Sequence, residues 1–164
     1  MMKKMIVYLL LAMCMMGMFS ACQSISQSTG KTVYDDNSQI VQDGDNFDVE
    51  EYGYGEEDSG HRLTLSGFSG VKSIYKLTAT KDSTVKFYLN LRTSSGKFKC
   101  VYVSADGDTK VIIEQNGSKN DSQTVTLNVI EGESNIKIVG LESNLEIITD
   151  VQNSDGNVES EFIN

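Results

Sequence analysis

The residue types that could carry chemistry are sparse in this sequence. His61 is the only histidine, and the cysteines are Cys14, Cys22 and Cys100. A Ser–His–Asp triad would have to be built on His61, and no Gly-x-Ser-x-Gly elbow presents a serine nucleophile. A His/Cys metal cluster lacks the ligands it needs. No glycine-rich loop opens a helix to cradle a phosphate. Acids are plentiful, but a carboxylate pair for sugar hydrolysis depends on a separation that sequence spacing does not supply. The run Asp43-Gly-Asp-Asn-Phe-Asp-Val-Glu-Glu offers oxygen ligands at short spacing, as Ca²⁺ requires. Its acids and glycine miss the EF-hand positions, so a solvated acidic stretch is the simpler reading. No cofactor or metal is implied, no catalytic residue is assigned, and the chain reads as a binding protein rather than an enzyme.

The groups best suited to binding lie between Lys72 and Lys99. That stretch holds seven basic residues (Lys72, Lys76, Lys81, Lys86, Arg92, Lys97 and Lys99) against one acid, Asp82. Lys86, Tyr88 and Arg92 alternate along one segment, and Lys97 and Lys99 along the next. Two readings are open. Lysines on exposed strands can block edge-to-edge aggregation. Alternatively, Lys86, Tyr88, Arg92, Lys97 and Lys99 form a basic, Tyr-bearing binding face for an anionic partner. That partner would be an envelope polymer, lipid headgroups, a protein, or the chain's own acidic segment.

Elements that would position this face follow from residue periodicity. From Arg62 onward apolar and polar residues alternate with a period of two, interrupted by Gly, Asn, Asp and Ser. The pattern predicts strands over Arg62–Phe68, Val71–Ala79, Thr84–Thr93, Lys97–Ser104, Thr109–Gln115, Thr124–Ile130, Asn135–Val139 and Leu145–Val151. Turn chemistry separates them, including Gly67 to Gly70, Ser94-Ser95-Gly96 and Ser143-Asn144. The expected fold is all-β, an antiparallel sandwich of about eight strands, jelly-roll-like or immunoglobulin-like. A hairpin over Thr93–Gly96 would set Leu91 opposite Phe98, Leu89 opposite Cys100 and Phe87 opposite Tyr102, all facing the core. Cys100 then reads as a small buried hydrophobe.

The N-terminus has a different texture. Lys3 and Lys4 precede an apolar run, Met5 to Phe19, and then the small residues Ser20 and Ala21. That is the order of parts in a secretory signal, and the run is short for a membrane span. Phe19-Ser20-Ala21-Cys22 resembles the lipobox of bacterial lipoproteins, in which the cysteine thiol receives a diacylglyceryl group and the leader is cut just before it. The resemblance implies lipidation at Cys22 and attachment to the extracytoplasmic face of the cell membrane. Leu11-Ala12-Met13-Cys14 is a weaker match, because Met13 stands where a small residue is wanted. Two acyl chains suffice for lasting anchorage where one is marginal.

These boundaries divide the chain into a signal peptide (1–21), a flexible acidic tether (22–61), a β-sandwich domain (62–152) and a polar C-terminal tail (153–164). Asp35 to Gly60 contains ten acids and no Lys or Arg, a composition that repels itself and has little to bury. The formal charge is -9, so nucleic acid is excluded as a partner of the whole molecule. Segments such as Ser73-Ile-Tyr-Lys-Leu, Lys81-Asp-Ser-Thr-Val and Asn135-Ile-Lys-Ile-Val-Gly resemble the small β-sandwich lipoproteins of Gram-positive bacteria, which implies no activity. The expected function is a non-catalytic binding or structural module anchored outside the cell. The alternatives are a carbohydrate-binding domain, with Tyr88 and Tyr102 as its candidate aromatics, or a cell-envelope hydrolase.

Overall fold

The computed structural model describes residues 33–153 and 156–164. The leader and Cys22 lie outside the described residues. Within them the chain is an antiparallel β-sandwich preceded by short helical turns, of which Asn37–Ile40 is α1. The strands are β1 (Asn46–Asp48), β2 (Glu51–Glu57), β3 (Gly60–Ala79), β4 (Ser83–Val103), β5 (Thr109–Asn116), β6 (Lys119–Val129), β7 (Gly132–Asn153) and β8 (Val158–Phe162).

Three of these strands, β3, β4 and β7, are far longer than a typical strand of five or six residues because each runs through both layers. In one layer, here layer A, the order is β2, the first half of β3, the second half of β7, the first half of β4, and β6. In layer B it is β8 and β1, the second half of β3, the first half of β7, the second half of β4, and β5. The bends fall where register shifts interrupt the ladders: between Leu65 and Gly70 on β3, and between Thr93 and Lys97 on β4. A bulge adds a residue to one strand and kinks it. It also flips the phase of alternation. On β4 the residues in the core between the layers include Phe87, Leu89 and Leu91 before the bend and Phe98, Cys100 and Tyr102 after it.

The corner is built from small and permissive residues. Gly67 and Gly96 have φ of 64° and 76°, and Glu142 adopts φ of 52° without being glycine. Asn144 Oδ1 accepts from Gly67 N at 2.7 Å, and Ser69 Oγ accepts from Glu142 N at 2.9 Å. The Ser143 hydroxyl donates to the Lys97 carbonyl. These side chains satisfy backbone groups that the bulges take out of the ladder.

Three expectations are corrected here. First, Thr84–Arg92 and Lys97–Val103 are not a hairpin. Residues 83–93 pair with β6 and β7, and residues 97–103 with β5 and β7. The two halves of β4 face each other across the core instead of lying side by side, so Leu91 and Phe98 still share one hydrophobic cluster. Second, the supposed tether is folded from residue 33 onward. β1 and β2 extend the sheet from β3. Ahead of them, Val33, Tyr34 and Ile40 are buried against Val71, Val101, Val103 and Val139 on the outer side of layer B. An acidic segment with a few well-placed apolar residues can dock where the sheet supplies both a groove and lysines. Third, the polar tail contributes β8, which pairs with β3 over Tyr75–Ala79.

Candidate functional site

Because β4 crosses from layer to layer, the five residues of the expected binding face part company. Lys97 and Lys99 lie on layer B against the N-terminal strap, residues 33–45, with Lys99 buried and Lys97 exposed beside it. Their ammonium groups stand 5.7 and 4.9 Å from the centroid of the Tyr34 ring, within cation–π range. The Tyr34 hydroxyl donates to Glu114 at 3.0 Å. Burial, reinforced by that carboxylate, pushes the phenol well above its ordinary pKa.

Lysines that sequence reasoning left unpartnered are held by the same strap. Lys137, only 2% exposed, donates to the Gln42 carbonyl at 2.6 Å. Asp45 accepts from Ser73 N at 2.7 Å and stands 3.9 Å from Lys72. Burial lowers the pKa of both Lys72 and Lys137, and Asp45 opposes the shift in each. The acidic segment is thus a counter-charge for layer B. Among the described residues no cluster of His, Cys, Asp or Glu is placed to hold a metal ion.

Lys86, Tyr88 and Arg92 remain together, on the outer face of layer A. Cross-strand register sets their neighbours. Arg92 lies between Asn120 and Glu146, Asn90 between Ser122 and Ile148, Tyr88 between Thr124 and Asp150, and Lys86 between Thr126 and Gln152. Farther across the sheet, Arg62 is opposite Ile148 and Gly55. No described element covers these residues, and all of them are exposed or half-buried.

Charges on this face are largely neutralised by one another. Arg62 pairs with Glu57 and, at 3.8 Å, with Glu146. Arg92 reaches Glu146 at 3.5 Å. Gln152 Nε2 donates to Asp150 at 3.2 Å. What the face offers a ligand is therefore an array of hydroxyl and amide groups around the half-buried Tyr88. It runs into a depression of about 330 Å³ lined by Thr84, Val85, Lys86, Thr126, Gln152 and Asn153.

The remaining candidates are placed as follows. Tyr102 points into the core and donates to Ser134 Oγ at 3.2 Å, so it cannot meet a sugar. Its inward direction follows from the phase flip at the β4 bend. His61 sits at the open edge of the sandwich, stacked on Phe162 with centroids 4.1 Å apart, with Tyr54 Oη 3.2 Å from Nδ1. Tyr75 meets Phe162 edge-on at 5.2 Å, so this aromatic row ties β2 and β3 of layer A to β8 and β3 of layer B. Sequence reasoning missed it; the period-two spacing of Tyr52 and Tyr54 was the available signal. A larger cleft of about 640 Å³ at the corner is lined by Asp48, Val49, Glu50, Gly67, Ser69, Glu142 and Asn144.

Cys100 is fully buried, and desolvation pushes its thiol well above the ordinary pKa. Only a thiolate reacts readily, so Cys100 should be inert to a chromogenic disulfide reagent in buffer and react fully in guanidinium. Rapid reaction of the folded domain, with Cys22 replaced by Ser, would contradict this placement.

No family model matches the chain, and no curated protein matches it. Among solved structures it is similar to BiXyn10A CBM1, with 10% identity and a TM-score of 0.41 over 71% of this chain and 95% of that one. It is also similar to a carbohydrate-binding module of Cellvibrio mixtus lichenase 5A in complex with cellotriose. There the identity is 12% and the TM-score 0.36, over 72% of this chain and 94% of that one. A family 35 carbohydrate binding module from an environmental isolate matches at 13% identity and a TM-score of 0.36, over 74% of this chain and 91% of that one. Likeness this distant assigns no ligand to this chain, and the functional reading rests on its own surface.

Proposed function

We propose that this chain is a non-catalytic glycan-binding module, held to the extracytoplasmic face of a membrane through Cys22, with the outer face of layer A as its binding surface. The observation that carries the reading is the composition of that face: uncovered, five strands wide, nearly charge-balanced, and furnished with Asn, Ser, Thr and Gln side chains around one accessible tyrosine. Polyhydroxylated ligands are recognised by such donors and acceptors, and an aromatic ring gives the apolar face of a sugar a flat surface to pack on. An anionic polymer gripped by a broad basic face fits less well, since Lys97 and Lys99 are engaged on the opposite layer.

The test is affinity retardation of the unlipidated domain (residues 33–164) on a panel of immobilised neutral and acidic glycans at low and high salt. Saturable retention should persist at high salt, because contacts to uncharged hydroxyls are not screened. Tyr88→Ala should weaken it by about three- to tenfold, the worth of one aromatic contact. Binding that survives Tyr88→Ala unchanged, or no retention on any glycan, overturns the proposal. The anchor is tested separately. Labelled palmitate should enter the full chain, and Cys22→Ser should release it from the membrane fraction.

A further inference from the structure

One cation on the proposed face has no carboxylate partner among the described residues. Arg62, Arg92, Glu57 and Glu146 answer one another, and Asp150 holds the Gln152 amide. Lys86 is exposed and forms no ion pair among the described residues. Its directly opposed neighbours, Thr126 on β6 and Gln152 on β7, are uncharged. The same residues line the depression of about 330 Å³ at this end of the face, with Thr84 adding a hydroxyl. A cavity of that size holds one small unit of a larger ligand.

We infer that this depression seats an anionic sugar of the bound glycan, a uronic acid residue, with its carboxylate on the Lys86 ammonium and its hydroxyls on Thr84, Thr126 and Gln152. The inference rests on the glycan-binding reading and specifies the ligand class. The unpaired ammonium of Lys86 selects the anion. Lys86 is a single point charge, and both arginines of the face already pair with carboxylates, so a dianionic phosphate is the poorer match. A carboxylate brings the one negative charge that Lys86 can neutralise. The pair stays partly hydrated, so its contribution is modest and salt-sensitive, on top of salt-insensitive binding by the rest of the face.

The experiment compares an acidic polymer with its own uncharged ester: polygalacturonate and glucuronan against their methyl esters, by titration calorimetry of the domain at low salt. The acid forms should bind about two- to fivefold more tightly than the esters, a preference that vanishes in high salt. Lys86→Met should reduce acid binding to the ester level and leave ester binding unchanged, while Lys86→Arg keeps the preference. Unaltered thermal unfolding of both variants would confirm that only the site was changed. Equal affinity for acid and ester, or a loss on Lys86→Met common to both, overturns the inference. So does failure to bind either pair, and retention of neutral glycans in the Tyr88 assay then shows that the broader reading survives. Dextran sulfate and dextran form a further arm. If Lys86→Met abolishes a preference for the sulfate ester while acid and ester bind alike, the carboxylate assignment is overturned.

Discussion

A chain that begins at Arg62 should fail to fold as a stable monomer. It would lack the strap and β1 and β2, although sequence reasoning places the domain boundary there. Val33, Tyr34 and Ile40 are almost completely buried on layer B, and Ile40 has no exposed surface at all. Each such side chain contributes about 1.5–3 kcal/mol on burial, against a total domain stability of about 5–15 kcal/mol. Removing them uncovers Val71, Val101, Val103 and Val139 together. Loss of β2 also strips what remains of the first half of β3, Arg62 to Ser66, and a bare strand edge beside an exposed apolar patch favours aggregation. The measurement is size-exclusion chromatography with circular dichroism melting of chains starting at residues 23, 46 and 62. The chain from 23 should melt cooperatively as a monomer. The chain from 46 should melt at a lower temperature, and that from 62 should aggregate or show no transition. Ile40→Ala in the longest chain should cost about 2–5 kcal/mol, the range for a buried aliphatic cut to Ala. A chain from Arg62 that melts within a few degrees of the longest one would refute the packing described for the strap.

Gly96→Ala should be among the most damaging single substitutions in the domain. Gly96 has φ of 76°, where an L-residue pays about 1–2 kcal/mol. A second cost is steric. A Cβ there would fall on the Glu142 carbonyl oxygen and within 2.6 Å of the Leu141 carbonyl oxygen, both of them backbone. Neither can move without opening the β4–β7 corner. Gly107 separates the two costs, since its φ is 86° and a Cβ there meets nothing within 4 Å. Gly107→Ala should therefore lose only the conformational part, and Gly96→Ala at least about 3 kcal/mol, in the range of severe core disruptions. Urea unfolding of the two variants beside the parent chain decides it. Equal losses would mean that close approach at the corner is not what requires glycine at position 96.

Taken together, the two predictions locate the determinants of this fold. Hydrophobic alternation identified the strands of the domain proper and most of its core. Leu63, Leu65, Phe87, Leu89, Leu91, Phe98 and Cys100 are buried as their spacing requires. Local pattern carries that information because a strand with one buried face must place apolar residues at every second position. Such pattern also sufficed for the fold class. It failed at Ser94-Ser95-Gly96 and at Gly67 to Gly70, read as reversals but built as bends. A serine–glycine cluster grants unusual φ and ψ, yet whether the chain then turns back or turns the corner depends on which distant strand offers hydrogen bonds. Here β7 pairs with β4 on both sides of the bend.

The candidate site shows the same division. Sequence alone determined which side chains exist and how they alternate, so Lys86, Tyr88 and Arg92 were correctly kept on one face. Placing Lys97 and Lys99 with them required the hairpin that does not form, and the bulge between Thr93 and Lys97 sends those lysines to the other layer. Composition likewise marked residues 35–60 as acidic and self-repelling. Only the tertiary structure supplied what offsets that repulsion: Lys72, Lys99 and Lys137 on one surface, and a groove shaped for Val33, Tyr34 and Ile40. Charge and hydropathy are properties of a segment, whereas docking is a property of two surfaces. The second surface is assembled from strands some 25 to 105 residues away in the chain, from β3 to β7.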